Sequence, residues 1–96
     1  MTAFFVAQLN VKDAEKFQIY AQGAAASMQY FGGQIVIKGK LSRNLAGETA
    51  YQNVALVSFP NKASLDEWFE SEAYQTLIPL RDEAADMLLL AYDAPS

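Results

Sequence analysis

The chain opens on an alternation. In Ala3-Phe4-Phe5-Val6-Ala7-Gln8-Leu9-Asn10-Val11 every odd position is apolar, while the even positions pass from Phe4 and Val6 to Gln8 and Asn10. A period of two predicts a strand whose odd face lies on the core. The period then changes. Ala14, Phe17, Ala21, Ala24, Met28 and Phe31 recur at spacings of three and four, which predicts a helix with one buried stripe. Gln18, Gln22 and Gln29 fall on its other sides. Asp13 supplies the N-cap, Glu15 suits the positive helix end, and Gly32-Gly33 is the stop.

A second strand is expected over Gln34–Leu41, with Ile35, Ile37 and Leu41 on one face and Gln34, Val36, Lys38 and Lys40 on the other. Ala46-Gly47-Glu48 marks the turn of a long hairpin. The third strand is Asn53–Phe59, closed by Pro60. The segment from Phe59 to Gln75 carries the most information. A strand ends, Asn61 caps a helix with Leu65, Trp68 and Phe69 inward, and Ser71 caps a second helical piece running from Glu72 towards Leu77. Pro79 forces a kink or restart. Met87–Tyr92 is the last strand, and the tail beyond it is expected to be loose.

The order is β-α-β-β-α-β, an α+β ferredoxin-like arrangement: a four-stranded antiparallel sheet with helices on one face. At 96 residues the expectation is one domain spanning 1–96. Folding buries about 64% of the unfolded chain's surface at this size. Hydrophobic residues make up 52% of the chain, and the last strand is apolar on both faces. Helices cover one sheet face only, which leaves Phe4, Val6 and Val36 without cover. A homodimer packed sheet to sheet, burying on the order of 2,000 Å², is therefore expected.

Charge and missing residue types narrow the chemistry. Seven basic against 11 acidic residues give a net charge of −4, which disfavours nucleic acid. The absence of cysteine excludes disulfides and thiolate chemistry, and the absence of histidine removes the commonest metal ligand and general base near pH 7. No metal and no cofactor are expected. The start reads straight into a strand, and no apolar run reaches the roughly 20 residues that span a bilayer; a cytoplasmic protein with no membrane partner is the expectation.

The succession of the first strand into Asp13, Tyr20, Tyr30-Phe31-Gly32-Gly33, Lys38-Gly39, Ala46-Gly47-Glu48, Phe59-Pro60, Trp68, Tyr74-Gln75 and Arg81 resembles the DUF1330 family of the dimeric α/β-barrel superfamily, nearly end to end. Ala14 and Glu72 stand where that family often has proline, and Gln8 and Asn53 where it often has basic residues. The resemblance implies the fold and a dimer and supplies no catalytic residues. More distant barrel relatives include haem-degrading enzymes, cofactor-independent monooxygenases and small isomerases, an analogy of fold alone.

Four residues are candidates for ligand contact. Tyr20 either offers its hydroxyl to a ligand carbonyl, or as a proton donor, or is a core-edge aromatic with that hydroxyl in water. Trp68 either lines a hydrophobic pocket for an aromatic ligand or anchors helix to sheet. Arg81 either clamps a carboxylate, or pairs with Asp82, Glu83 or a partner's acid, or offsets the negative end of a helix. Lys38, placed with Gln8, Asn10 and Gln34, either helps line a polar site beside the dimer seam or is a solvated strand edge. Tyr30 is expected to seal the helix end. Asp66, Glu67 and Glu70 read as a solvated acidic face rather than a metal site. Gly32-Gly33 precedes a strand, the reverse of a phosphate loop. Three functions follow: a dimer binding a small, partly apolar or carboxylated molecule; a cofactor-independent monooxygenase or isomerase of aromatic or keto compounds; or a non-catalytic interaction module.

Overall fold

A computed structural model describes residues 2–94. The elements are β1 (Ala3–Val11), α1 (Ala14–Gln29), β2 (Gln34–Lys40), β3 (Asn53–Phe59), α2 (Lys62–Glu70), α3 (Glu72–Gln75), α4 (Ile78–Ala84) and β4 (Ala85–Asp93). The strands form one antiparallel sheet in the order β2-β3-β1-β4. This is the ferredoxin-like α+β fold that the alternating periods predict.

Capping side chains set the helix starts. The Asp13 carboxylate accepts the Lys16 N–H at 3.1 Å, and the Asn61 side chain accepts that of Ser64 at 2.8 Å. Ser71 ends one helix and begins the next. Its hydroxyl donates to the Trp68 carbonyl at 2.6 Å and accepts the Tyr74 N–H at 3.2 Å. Pro79 stands in the first turn of α4, where its missing N–H is not needed. The glycine pair ends α1 for two separate reasons. Gly32 adopts φ +78°, while a Cβ on Gly33 would meet Met28 and a Phe59 ring carbon at 2.9 Å.

The core lies between helices and sheet. Ala3, Phe5, Ala7 and Leu9 of β1 are buried, with Val57 and Phe59 of β3 and Leu65, Trp68 and Tyr74 from the helices. In α1 the buried line is Tyr20, Ala24, Ser27 and Met28, with Phe17 beside it; Ala14, expected in the stripe, is exposed. Phe69 is partly turned out of the inner face of α2. β4 begins two residues before Met87. It runs on to Asp93, and the Ala94 N–H donates to the Thr2 carbonyl at 2.8 Å. The tail expected to be loose is thus tied to β1 as far as Ala94. Pro95 and Ser96 lie outside the described residues.

A β-bulge changes the reading of β2. Ile35 pairs with Val57 and Ile37 with Leu56, so Val36 is the extra residue. One inserted residue exchanges the faces beyond it. Ile37 therefore joins the outer face, with Leu56, while Lys38 pairs with Ala55 on the helix side. The expected grouping of Lys38 with Gln8, Asn10 and Gln34 is overturned.

Gln8 and Asn10 hold the β2–β3 connection instead. Asn10 donates to the Ala50 carbonyl and accepts the Gln52 N–H, both at 2.8 Å, and the Thr49 hydroxyl donates to Gln8 at 3.2 Å. The connection spans 41–52, with Gly47 at φ +71° near its tip. Around these anchors the outer sheet face is apolar: Phe4, Val6, Ile37, Leu56, Leu88, Leu90 and Tyr92, with the Phe4 and Tyr92 rings stacked at 5.3 Å. No helix among the described residues is long and apolar enough to cross a membrane.

Candidate functional site

Small residues create a space inside the helix–sheet sandwich. Ala21, Ala24 and Ala25 of α1 face Ala7 of β1 and Ala55 of β3 across it. Longer side chains at these positions would meet and close the gap. What remains is a cleft of about 270 Å³, walled also by Phe17, Tyr20, Met28, Met87 and Leu89. β2, an edge strand exposed along its length, forms the rim with Ile35, Lys38 and Gly39. The walls are apolar, and the polar side chains among the lining residues are Tyr20, Lys38 and Asn53. Apolar walls with a few polar groups are what small-molecule sites share, and the volume falls just below their usual range of about 300–1,000 Å³.

Behind the cleft lies a hydrogen-bonded row. The Tyr20 and Tyr74 hydroxyls are 2.9 Å apart. Arg81 Nη1 donates to the Tyr74 hydroxyl at 3.0 Å, and its Nε and Nη2 face Asp82 Oδ1, each at 3.4 Å. Tyr20 is 6% exposed and Tyr74 is 0% exposed. Burial pushes the Tyr20 hydroxyl far above the ordinary tyrosine range, and its partner Tyr74 adds to the rise against the opposing charge of Arg81. Partial burial opposes the charge of Arg81, but Tyr74 and Asp82 outweigh it and hold its pKa above the ordinary arginine value. Both groups thus keep their protons: Tyr20 is a neutral donor and Arg81 a fixed cation.

The four sequence candidates separate. Tyr20 and Lys38 line the same cleft. The placement of the Tyr20 hydroxyl in water is corrected: it is buried against Tyr74 and approaches Met87 Sδ at 4.0 Å. Arg81 reaches the cleft only through Tyr74, and of its expected partners it takes Asp82, while Glu83 pairs with Lys16 at 3.2 Å. Trp68 anchors helix to sheet. Its ring stacks on Phe5 at 5.1 Å, and its N–H donates to Ser27 Oγ at 2.9 Å, which in turn donates to the Ala24 carbonyl at 2.7 Å. Trp68 also borders a separate, more polar hollow with Asp66 and Glu70. Tyr30 lies outside both hollows, largely exposed, with its ring edge-on to Phe31 at 5.1 Å. No cluster of three potential metal ligands occurs among the described residues.

Tyr74 and the small residues around the cleft are not among the four candidates. Tyr74 belongs to the Tyr74-Gln75 motif, and its signal is that an internal tyrosine needs a partner for its hydroxyl. Of the alanines, Ala21 and Ala24 are expected in the helix stripe, while Ala7 and Ala55 are expected in strands. The number of α1 alanines opposite Ala7 and Ala55 is the trace of the cleft.

The sequence matches, over residues 2–94, the family described as a domain of unknown function, DUF1330. The chain belongs to the DUF1330 family. Among solved structures, this DUF1330 chain is similar to RPA0582 of Rhodopseudomonas palustris, a protein of unknown function, at 17% identity and a TM-score of 0.81, covering 99% of this chain and 83% of that one. It is similar to SnoaB of Streptomyces nogalater, described as a cofactor-independent oxygenase, at 14% identity and a TM-score of 0.70, covering 99% and 94%. It also resembles a dimeric ferredoxin-like protein of unknown function from Thermobifida fusca, at 8% identity and a TM-score of 0.65, covering 98% and 92%. At such identities the likeness is one of fold. No curated protein matches.

Proposed function

We propose that this DUF1330 protein is a homodimer whose protomers each bind a small, largely apolar molecule bearing a carboxylate. The cleft between α1 and the sheet carries this reading: apolar walls built around alanines, and one cationic side chain, Lys38, at the rim. The walls favour a ring or short chain through burial of apolar surface. Lys38 supplies a charge for a carboxylate at the mouth, where solvent keeps its contribution modest. The dimer rests on the apolar outer face of the sheet, and the dimeric ferredoxin-like protein of Thermobifida fusca supports it as a relative in fold.

The likeness to SnoaB brings cofactor-free oxidation into view as an analogy of fold. The cleft favours binding over proton abstraction. Its tyrosine is held neutral by burial, and a base must be able to give up its proton near the working pH.

NMR titration with benzoate and toluene tests the reading. Both should perturb resonances of residues around Ala24 and Ala55. Ala25→Phe should fill the space and abolish both responses, while Lys38→Gln should weaken benzoate about two- to fivefold, the range of a surface ion pair, and leave toluene unchanged. Failure of both molecules to perturb the cleft residues would overturn the proposal.

A further inference from the structure

The row Arg81–Tyr74–Tyr20 has a direction, set by counting protons. Arginine has no lone pair to offer, so the Tyr74 oxygen accepts from Arg81 Nη1. Tyr74 still has its own O–H proton to place. It is 0% exposed, so solvent does not take it. Among the described residues the remaining partner of the Tyr74 hydroxyl is the Tyr20 oxygen, at 2.9 Å. If Tyr20 donated to Tyr74 instead, the Tyr74 proton would be buried without an acceptor, whereas a Tyr20 proton still has Met87 Sδ and the cleft before it. Tyr74 therefore donates to Tyr20.

The consequence falls on the cleft. With its oxygen engaged by Tyr74, Tyr20 must send its own proton elsewhere. The group facing it is Met87 Sδ at 4.0 Å, a weak and distant acceptor. Tyr20 and Met87 both line the cleft. A buried donor with so poor a partner is itself a recognition element, because a ligand oxygen placed there satisfies it. The Arg81 charge behind Tyr74 polarises the row in the same sense and makes Tyr20 a better donor.

We infer that Tyr20 is a ligand-binding donor selecting molecules with a hydrogen-bond acceptor, a carbonyl or carboxylate oxygen, at the inner end of the cleft, and that Tyr74 and Arg81 are positioning residues that aim its proton. The inference rests on the ligand-binding reading above and deepens it: Lys38 addresses the rim, Tyr20 the interior.

The test compares acetophenone with ethylbenzene, nearly equal in shape and differing in one acceptor, in NMR titrations of the intact protein. Acetophenone should bind about three- to tenfold more tightly, the fold-change of one neutral hydrogen bond. Tyr20→Phe should bring the two affinities together. Arg81→Gln should reduce the ratio while ethylbenzene binds as before. A purely structural role for Arg81 would change both affinities alike. As a measurement on the unaltered chain, tyrosine labelled with carbon-13 at Cζ should show one buried resonance shifting with acetophenone and not with ethylbenzene. Equal affinities of the two probes for the unaltered protein, or a ratio untouched by Tyr20→Phe, would overturn the donor assignment while the cleft stands. If neither probe binds, the ligand-binding reading falls and this assignment with it.

Discussion

Ser27 shows how one hydroxyl secures the largest side chain of the core. Trp68 is 2% exposed, and its indole N–H finds its partner in Ser27 Oγ at 2.9 Å. Ser27→Ala is nearly isosteric, so its effect is chemical and not a matter of packing. It should destabilise the fold by about 1–3 kcal/mol by stranding a buried donor, measurable as a lower urea midpoint at unchanged slope. Tyr20 makes a pH-dependent contribution. Its hydroxyl titrates above the ordinary tyrosine value when folded, because burial disfavours the phenolate. The neutral-form stabilisation is fully present below about pH 10, the unfolded value. Above it the unfolded chain binds fewer protons than the folded one, so unfolding free energy falls with pH, by up to about 1.4 kcal/mol per unit from this one group. Urea titrations between pH 8 and 11 should show a shallower alkaline loss in Tyr20→Phe than in the parent.

At the scale of elements, much was legible because capping and periodicity are local. Asp13, Asn61 and Ser71 each cap the helix they were expected to cap. The strand pattern of β1 needs only alternation. β2 is different, because a bulge has no signature in Gln34-Ile35-Val36-Ile37; either face satisfies an isoleucine. The inversion of Lys38 follows from its pairing with β3, a contact the local pattern does not contain. The same holds for Tyr20 and Tyr74, which lie 54 positions apart, and for the cleft, which alanines from three elements create together. Gln8 and Asn10 looked like a polar patch and are tethers for the 41–52 connection. Asn10→Ala removes two bonds to that connection at once, to Ala50 and from Gln52. The amide of Gln52 should then exchange with deuterium much faster. Those of β1 paired with β4 should keep their protection, since their ladder is untouched.

For the whole molecule the proposed binding and association fall on opposite faces of the sheet, and this separation is testable. The helix side holds the cleft. The outer side presents Phe4, Val6, Leu56, Leu88, Leu90 and Tyr92, a hydrophobic surface of the sort that marks an interface. Val6 lies mid-sheet, opposite Leu56 on one neighbour and Leu90 on the other. Lysine there should bring an unpaired charge into a dry interface while its neighbours within the protomer stay as they were. Sedimentation at micromolar concentration should give twice the monomer mass for the parent chain and the monomer mass for Val6→Lys, with the far-ultraviolet dichroism of the two alike. A monomeric parent would show that the outer face is not held by a second copy. Because the cleft lies between the helices and the sheet, with its rim at the β2 edge, binding and association should be energetically uncoupled. By linkage, a ligand with equal affinity for monomer and dimer leaves the monomer–dimer equilibrium where it was. Benzoate should therefore bind Val6→Lys as it binds the dimer, and a saturating concentration should leave the dimer dissociation constant unchanged. A change in either quantity would mean that the sheet transmits strain from one face to the other, through β1, the strand whose alternate residues serve both.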